Sequence, residues 1–309
     1  MREIQRSASD PPWLADFCTS LERADLAPAT VHGYLKDVRQ FLRWRAAVPA
    51  GEFPALTEVE LIAYRQCLIT QHRLRPATIN RRLEALRRLC RWAQAAGRLP
   101  GDVVSLVRPV HTERNRQPIG LTGTEVHGLL RAAGRSSHGH ARRDYALVQL
   151  FVQTGLRVGE VSALRLADLD LHERTGTVRV CDGKGHKERH VPLNATVRRA
   201  LRQYLEQRPE AGADAALFLS GRQAPLPIRS IQAIIARLAQ RAQLERVPVS
   251  AHTLRHTFAL NFLRGNPGKL VELASLLGHD SLDTTAVYTR PSQEDLAADL
   301  ERSPLNVDR

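Results

Sequence analysis

The 309-residue chain is 43% hydrophobic, enough for two packed domains, and its 45 Lys and Arg against 32 Asp and Glu give a formal net charge of +13. Its four cysteines (Cys18, Cys67, Cys90 and Cys181) show neither a CxxC pair nor ligand-like spacing. That excludes a disulfide framework or a zinc ribbon and fits a reducing, cytoplasmic setting. The opening Met-Arg-Glu-Ile-Gln-Arg-Ser lacks the apolar run of a signal peptide, and no apolar stretch approaches membrane-spanning length. Residues 1–110 hold 17 basic and 11 acidic side chains, and the remainder 28 and 21, so both parts carry a positive surplus. A polyanion touched by two domains accounts for that, and so does an Arg-rich proteome with no nucleic-acid role.

The first third reads as helical and contains a repeat. Pro28-Ala29-Thr30 opens a periodic segment running to Trp44, and Pro76-Ala77-Thr78 opens another running to Trp92. Leu35/Leu83, Arg39/Arg87 and Arg43/Arg91 coincide at the same offset. Apolar residues recur at helical spacing in both: Val31, Leu35, Val38, Leu42, and Ile79, Leu83, Leu86, Cys90. A shorter helix precedes each, over about residues 11–24 and 57–71. In the second long helix Arg81, Arg82, Arg87, Arg88 and Arg91 crowd the polar side against a single Glu84. Such a face suits DNA phosphates, although most charge runs are solvated surface.

Residues 108–118 are polar and bracketed by prolines, which marks a linker between a first domain of residues 1–107 and a second of residues 119–309. Beyond it, Thr122 or Thr124 caps a helix. Val178 and Val180 lie in a strand, Asp182-Gly183-Lys184-Gly185-His186-Lys187 forms a turn, and His190-Val191-Pro192-Leu193 leads away. From Ile228 onward the chain is again mostly helical.

Four segments of this second part carry candidate chemistry. In Thr154-Gly155-Leu156-Arg157-Val158-Gly159-Glu160, Gly155 stops one helix and Arg157 opens the next, with Glu160 one turn on. The glycines beside Lys184 leave that side chain free to reach across a groove. In His252-Thr253-Leu254-Arg255-His256, His252 and Arg255 share a helix face. His252 and His256 are spaced like zinc ligands, but Thr253 stands where a zinc protease needs Glu. Gly278 stops an apolar helix before His279, and Asp283 or Thr284 caps a short helix carrying Tyr288. Taken singly, each has an ordinary structural explanation.

The order of the segments is distinctive: Arg157, the Lys184 hairpin, HxxR, Gly-His, then Tyr288 nine residues after His279. In this it resembles the tyrosine recombinase (phage integrase) family, over most of the chain. TGLRVGE, GKGHKER, HTLRHTFA and LLGHDSLDTTAVYT look most like Xer-type and transposon-encoded members. The resemblance implies a mainly α fold with a small β-sheet, built as a two-domain DNA clamp. A helical, SAM-like core-binding domain would be joined to an α+β catalytic domain, with no room for a further arm-site-binding domain. It implies that Arg157, Lys184, His252, Arg255 and His279 surround a scissile phosphate attacked by Tyr288. Two guanidiniums can hold the developing oxyanions by bidentate hydrogen bonds and favour the phenolate, so no metal or other cofactor is needed. His252 would take the phenolic proton and Lys184 would protonate the leaving 5′-oxygen. Glu160 would be structural, orienting Arg157 or a neighbouring backbone group. The implied partners are double-stranded DNA with paired inverted core sites and three further copies, or a paralogue, in a synaptic tetramer. Leu296 and Leu300 would form a tail helix docking on a neighbour. A type IB topoisomerase and a catalytically inert DNA-binding relative are the alternatives. The six matching residues speak against the inert relative.

Overall fold

The structure is a computed structural model. It describes residues 10–24, 26, 28–45, 53–101, 103, 107–111, 118–135, 139–181, 188–279, 281–289, 297, 300 and 301. The chain divides between residues 115 and 116 into two compact units.

The first unit is four helices: α1 (Pro12–Arg23), α2 (Pro28–Arg45), α3 (Glu58–Thr70) and α4 (Pro76–Ala95). Proline opens α1, α2 and α4, where its missing N–H and fixed φ cost nothing. Thr57 and Glu60 close a reciprocal capping box on α3. The repeat is structural as well as sequential. Val31, Leu35 and Val38 of α2 are buried, as are Ile79, Leu83 and Leu86 of α4, and the two helices pack together. Around them sit Trp13, Phe17, Phe41 and Tyr64, each at most 1% exposed. Asp37 of α2 is also buried and forms an ion pair with Arg81 of α4. Asn80 of α4 both donates to and accepts from the backbone of Val110, at 2.8 and 2.7 Å, so the start of the predicted linker lies along this unit.

The second unit runs α5 (Gly123–Gly134), α6 (Ala141–Thr154), α7 (Val158–Ala163), a 3₁₀ turn at Leu166–Asp168, then strands β1 (Leu169–Leu171), β2 (Gly176–Cys181) and β3 (Glu188–Pro192). The remaining helices are α8 (Ala195–Leu205), α9 (Ile228–Arg241), α10 (Ala251–Gly265), α11 (Leu270–Leu277) and α12 (Asp283–Ala286). Thr122, not Thr124, caps α5 through a box with Glu125. The sheet is an antiparallel meander in which Val178 pairs with Leu169 on one side and Val191 on the other. Strand β2 alternates, turning Val178 and Val180 into a core that Leu147, Phe151, Leu201, Ile235 and Leu254 share. Strand β1 was not foreseen, because three residues are too short to display a two-residue period. The Lys184 turn, residues 182–187, lies outside the described residues. Among the described residues no helix is long and apolar enough to cross a membrane.

Candidate active site

The site is built on helix ends. Helix α6 stops at Gly155 (φ 64°) and α11 at Gly278 (φ 65°), both left-handed, a conformation that glycine adopts without strain. A helix C-terminus leaves carbonyls without intrahelical donors and carries partial negative charge. Two arginines fill those vacancies. Arg255 of α10 donates through Nη1 to the Gly155 carbonyl at 2.7 Å and through Nη2 to the Leu277 carbonyl at 2.9 Å. Arg157, the residue before α7, donates through Nη2 to the Gly278 carbonyl at 2.9 Å. Each charge-assisted bond of this kind stabilises by about 1.5–3 kcal/mol, so the two helix ends fix both guanidiniums relative to each other.

Glu160 ties the strand to this cluster. Its carboxylate is 7% exposed and accepts from Arg157 Nη1 at 3.0 Å, from the Arg157 backbone N–H at 2.7 Å, and from Arg189 of β3 through two bonds of 2.9 Å. Burial raises its pKa, but the bonds from Arg189 and Arg157 outweigh that and leave it below the ordinary carboxylate range. Arg189 also donates to the Leu276 carbonyl at 3.0 Å, and a Cβ on Gly278 would come within 2.8 Å of its guanidinium. Gly278 is therefore needed for clearance as well as for its φ. Arg189 was not picked out from the sequence. Its position on the strand leaving the Lys184 turn was the available signal.

His279 joins Arg255 to the segment that bears the tyrosine. Arg255 Nη2 lies 2.8 Å from His279 Nε2, and a guanidinium has only donors, so Nε2 accepts. The ring proton is then on Nδ1, which donates to Thr285 Oγ1 at 2.7 Å. Thr285 is fully buried, and its carbonyl accepts from the Tyr288 backbone N–H at 3.0 Å. Helix α12 ends at Ala286, so Tyr288 stands in the turn after it and not within the helix expected from the sequence. Neither Asp283 nor Thr284 caps α12. The residue before it, Leu282, makes no side-chain cap, which leaves only one helical turn.

Tyr288 is 7% exposed, packed with Phe258, Ala259, Leu273 and Leu277. Its hydroxyl lies 2.8 Å from Nδ1 of His256, the residue after Arg255. The expected neighbour, His252, is exposed and instead sets its ring edge-on against that of His256, with centroids 4.1 Å apart. Burial pushes the Tyr288 hydroxyl above its ordinary pKa, with Arg255 pulling the other way and losing. The guanidinium charge thus does not by itself produce a phenolate here. Burial, then His252, then Arg255 lower His256 to about 4, and burial followed by Arg255 lowers His252. Arg255 is brought to about 10, first by burial and then by Arg157, and stays cationic at neutral pH.

In sequence comparisons, the profile described as the phage integrase family matches residues 120–295, and that of the phage integrase N-terminal SAM-like domain matches residues 13–95. The chain belongs to the phage integrase family. It is 35% identical to tyrosine recombinase XerC of Corynebacterium efficiens, over 92% of this chain and 88% of that protein. It is 34% identical to tyrosine recombinase XerD of Ralstonia nicotianae, over 91% and 90%. Among solved structures, the XerH site-specific recombinase bound to palindromic difH substrate, in a post-cleavage complex, matches with a TM-score of 0.74 at 23% identity. That match covers 94% of this chain and 83% of XerH. As a phage integrase family member with such relatives, the protein is a site-specific tyrosine recombinase, and the inert alternative is not favoured.

Of the six expected site residues, Arg157, Arg255 and His279 meet at the two helix ends. Tyr288 and His252 flank the next residue along α10, and Lys184 falls outside the described residues. In the first unit, Arg81 is paired with Asp37, and both Arg87 and Arg91 with Glu84. Arg82 interacts with the Tyr64 hydroxyl. No ion pair engages Arg88 among the described residues.

Proposed function

We propose that Tyr288 is the nucleophile of this recombinase and cuts DNA by forming a covalent 3′-phosphotyrosine. The observation that carries the reading is the convergence of Arg157 and Arg255, with His279 on Arg255, at the ends of α6 and α11, beside Tyr288, whose hydroxyl is held by His256 of α10. Two fixed guanidiniums hold the non-bridging oxygens of the phosphate, whose charge grows as phosphorus becomes five-coordinate. A phosphate oxygen would displace the Arg255–His279 bond, and His279, with Nδ1 held by Thr285, would donate to the same phosphate once its Nε2 takes up a proton. The phenolic oxygen bonds to phosphorus as the bond to the 5′-oxygen breaks. His252, open to solvent, receives the phenolic proton, and Lys184 gives one to the leaving oxygen. Charge neutralisation by two arginines removes the need for a metal ion. The phosphotyrosine conserves the bond energy, so a 5′-hydroxyl from a partner strand reverses the step without ATP.

The substrate on this reading is double-stranded DNA with paired inverted core sites, in keeping with the palindromic substrate of XerH, and the working assembly is a tetramer. The first unit, with its linker near residues 108–118, binds the core site together with the catalytic unit. The decisive test is covalent trapping on nicked fragments from the flanks of the gene, resolved on a denaturing gel. An adduct with the wild-type chain and none with Tyr288→Phe is expected. Salt-sensitive binding without any adduct would point instead to an accessory DNA-binding role.

A further inference from the structure

The chemistry above leaves His256 without a task. It occupies the first two turns of α10 together with His252 and Arg255, and it holds the only hydrogen bond described for the Tyr288 hydroxyl, at 2.8 Å. A buried hydroxyl needs such a partner, since leaving it unpaired costs free energy. The remaining walls of its seat, from Phe258, Leu273 and Leu277, are apolar.

We propose that His256 is the positioning residue for the nucleophile: its Nδ1 seats and aims the Tyr288 hydroxyl, and it is not the group that keeps the phenolic proton. The inference rests on Tyr288 being the nucleophile. The geometry separates the two imidazoles by role. His256 touches the hydroxyl and is partly buried, while His252 touches His256 and is open to solvent. The ionisable groups around His256 are His252 and Arg255 from its own helix and Tyr288 from the segment after α12. A proton kept on His256 would put a second positive charge beside Arg255 in a partly buried place. The ring's depressed basicity, about 4, fits a hydrogen-bond acceptor that stays neutral. The His252/His256 spacing that invites a zinc reading thus has another explanation, because one ring nitrogen is already committed to the tyrosine.

The test is single-turnover adduct formation by the full chain on a nicked DNA site, read as rate against DNA concentration and against pH. In His256→Ala the maximal rate should fall about 10- to 100-fold with half-saturation unchanged, the size expected when a reacting atom is misplaced by about 1 Å. In His256→Asn the side-chain oxygen falls where Nδ1 does, so this variant should stay within about three-fold of wild type with the same pH profile. His256→Gln, whose oxygen falls nearer the Nε2 position, should be slow although it matches Asn in polarity, which guards against a folding defect in the alanine variant. An alanine variant as fast as wild type would remove the positioning role. An asparagine variant as slow as alanine, with a limb of the pH profile lost, would make His256 the proton acceptor and overturn the proposal. In either case a wild-type adduct mapped to Tyr288 leaves the parent reading standing, whereas an adduct that survives Tyr288→Phe defeats both.

Discussion

Burial keeps the His256 ring neutral where a free histidine would take up a proton, and this couples the site to stability. The folded pKa of about 4 lies below the ordinary value of 6.5. Between those values the unfolded chain binds a proton that the folded chain refuses, so stability is full above about pH 6.5 and is lost as pH falls toward 4. His252 is shifted in the same direction. Asp37, raised by burial in the first unit, has the opposite sign and gains stability as pH falls. Glu125, held near 2 by Arg246 in the second unit, loses its contribution only below the ordinary carboxylate range. His252 shares this window, so the part due to His256 is isolated only by comparing the wild-type chain with a His256 variant. Taking the second unit from about pH 7.5 to pH 5 should cost about 1–2 kcal/mol through this ring. Urea melts at the two pH values should show that loss in the wild-type chain and a correspondingly smaller one in His256→Asn. Equal losses in both would mean that the imidazole is solvated and free to protonate.

At the scale of elements, the two glycine-stopped helices do more than turn the chain. A Cβ on Gly155 would collide with the Phe258 ring and lie 2.9 Å from Leu277, at a φ of +64°. Both neighbours belong to the cluster that seats Tyr288. Gly155→Ala should therefore destabilise the second unit by about 2–4 kcal/mol, combining left-handed strain with overpacking. Gly159, four residues on in α7, is exposed with nothing near its Cβ position, so Gly159→Ala should be neutral or stabilise by up to about 1 kcal/mol. Paired urea titrations check this, and similar costs for the two variants would show that the packing around Gly155 yields. Gly155 and Gly278 were legible as helix stops in the sequence, and so were the α2 and α4 repeat and the buried β2 alternation. Each is written in a local period or in one residue's backbone preference. The link from His256 to Tyr288 was not legible, because it joins residues 32 apart through packing that no local pattern encodes. Arg189 was hidden for the same reason, its bonds running to α7 and α11. Helix α12 was overextended, because a capping residue type at the right place does not guarantee the cap.

Across the whole molecule the positive surplus is divided, with 17 basic against 11 acidic residues up to residue 110 and 28 against 21 beyond it. If both units contact DNA, affinity should fall steeply with salt, because each neutralised phosphate releases counterions. The arginines of α4 are not equivalent in this. Arg81 anchors the buried Asp37, and Arg87 and Arg91 share Glu84, whereas Arg88 has no ion pair among the described residues. Arg82 likewise has no ion pair among the described residues, but it lies against the Tyr64 hydroxyl with two of its nitrogens buried, which leaves Arg88 the better placed to take a phosphate without giving up a carboxylate. Arg88→Ala should weaken binding uniformly across DNA sequences and reduce the slope of log affinity against log salt by about 1. Arg81→Ala should leave that slope unchanged and lower the stability of the first unit by about 2 kcal/mol, since Asp37 would remain buried without its partner. Fluorescence anisotropy over a salt series, with thermal melts of the same variants, separates the two effects. A slope that falls for Arg81→Ala and not for Arg88→Ala would mean that the Asp37 pair opens on DNA and that the contacting face of α4 is the other one.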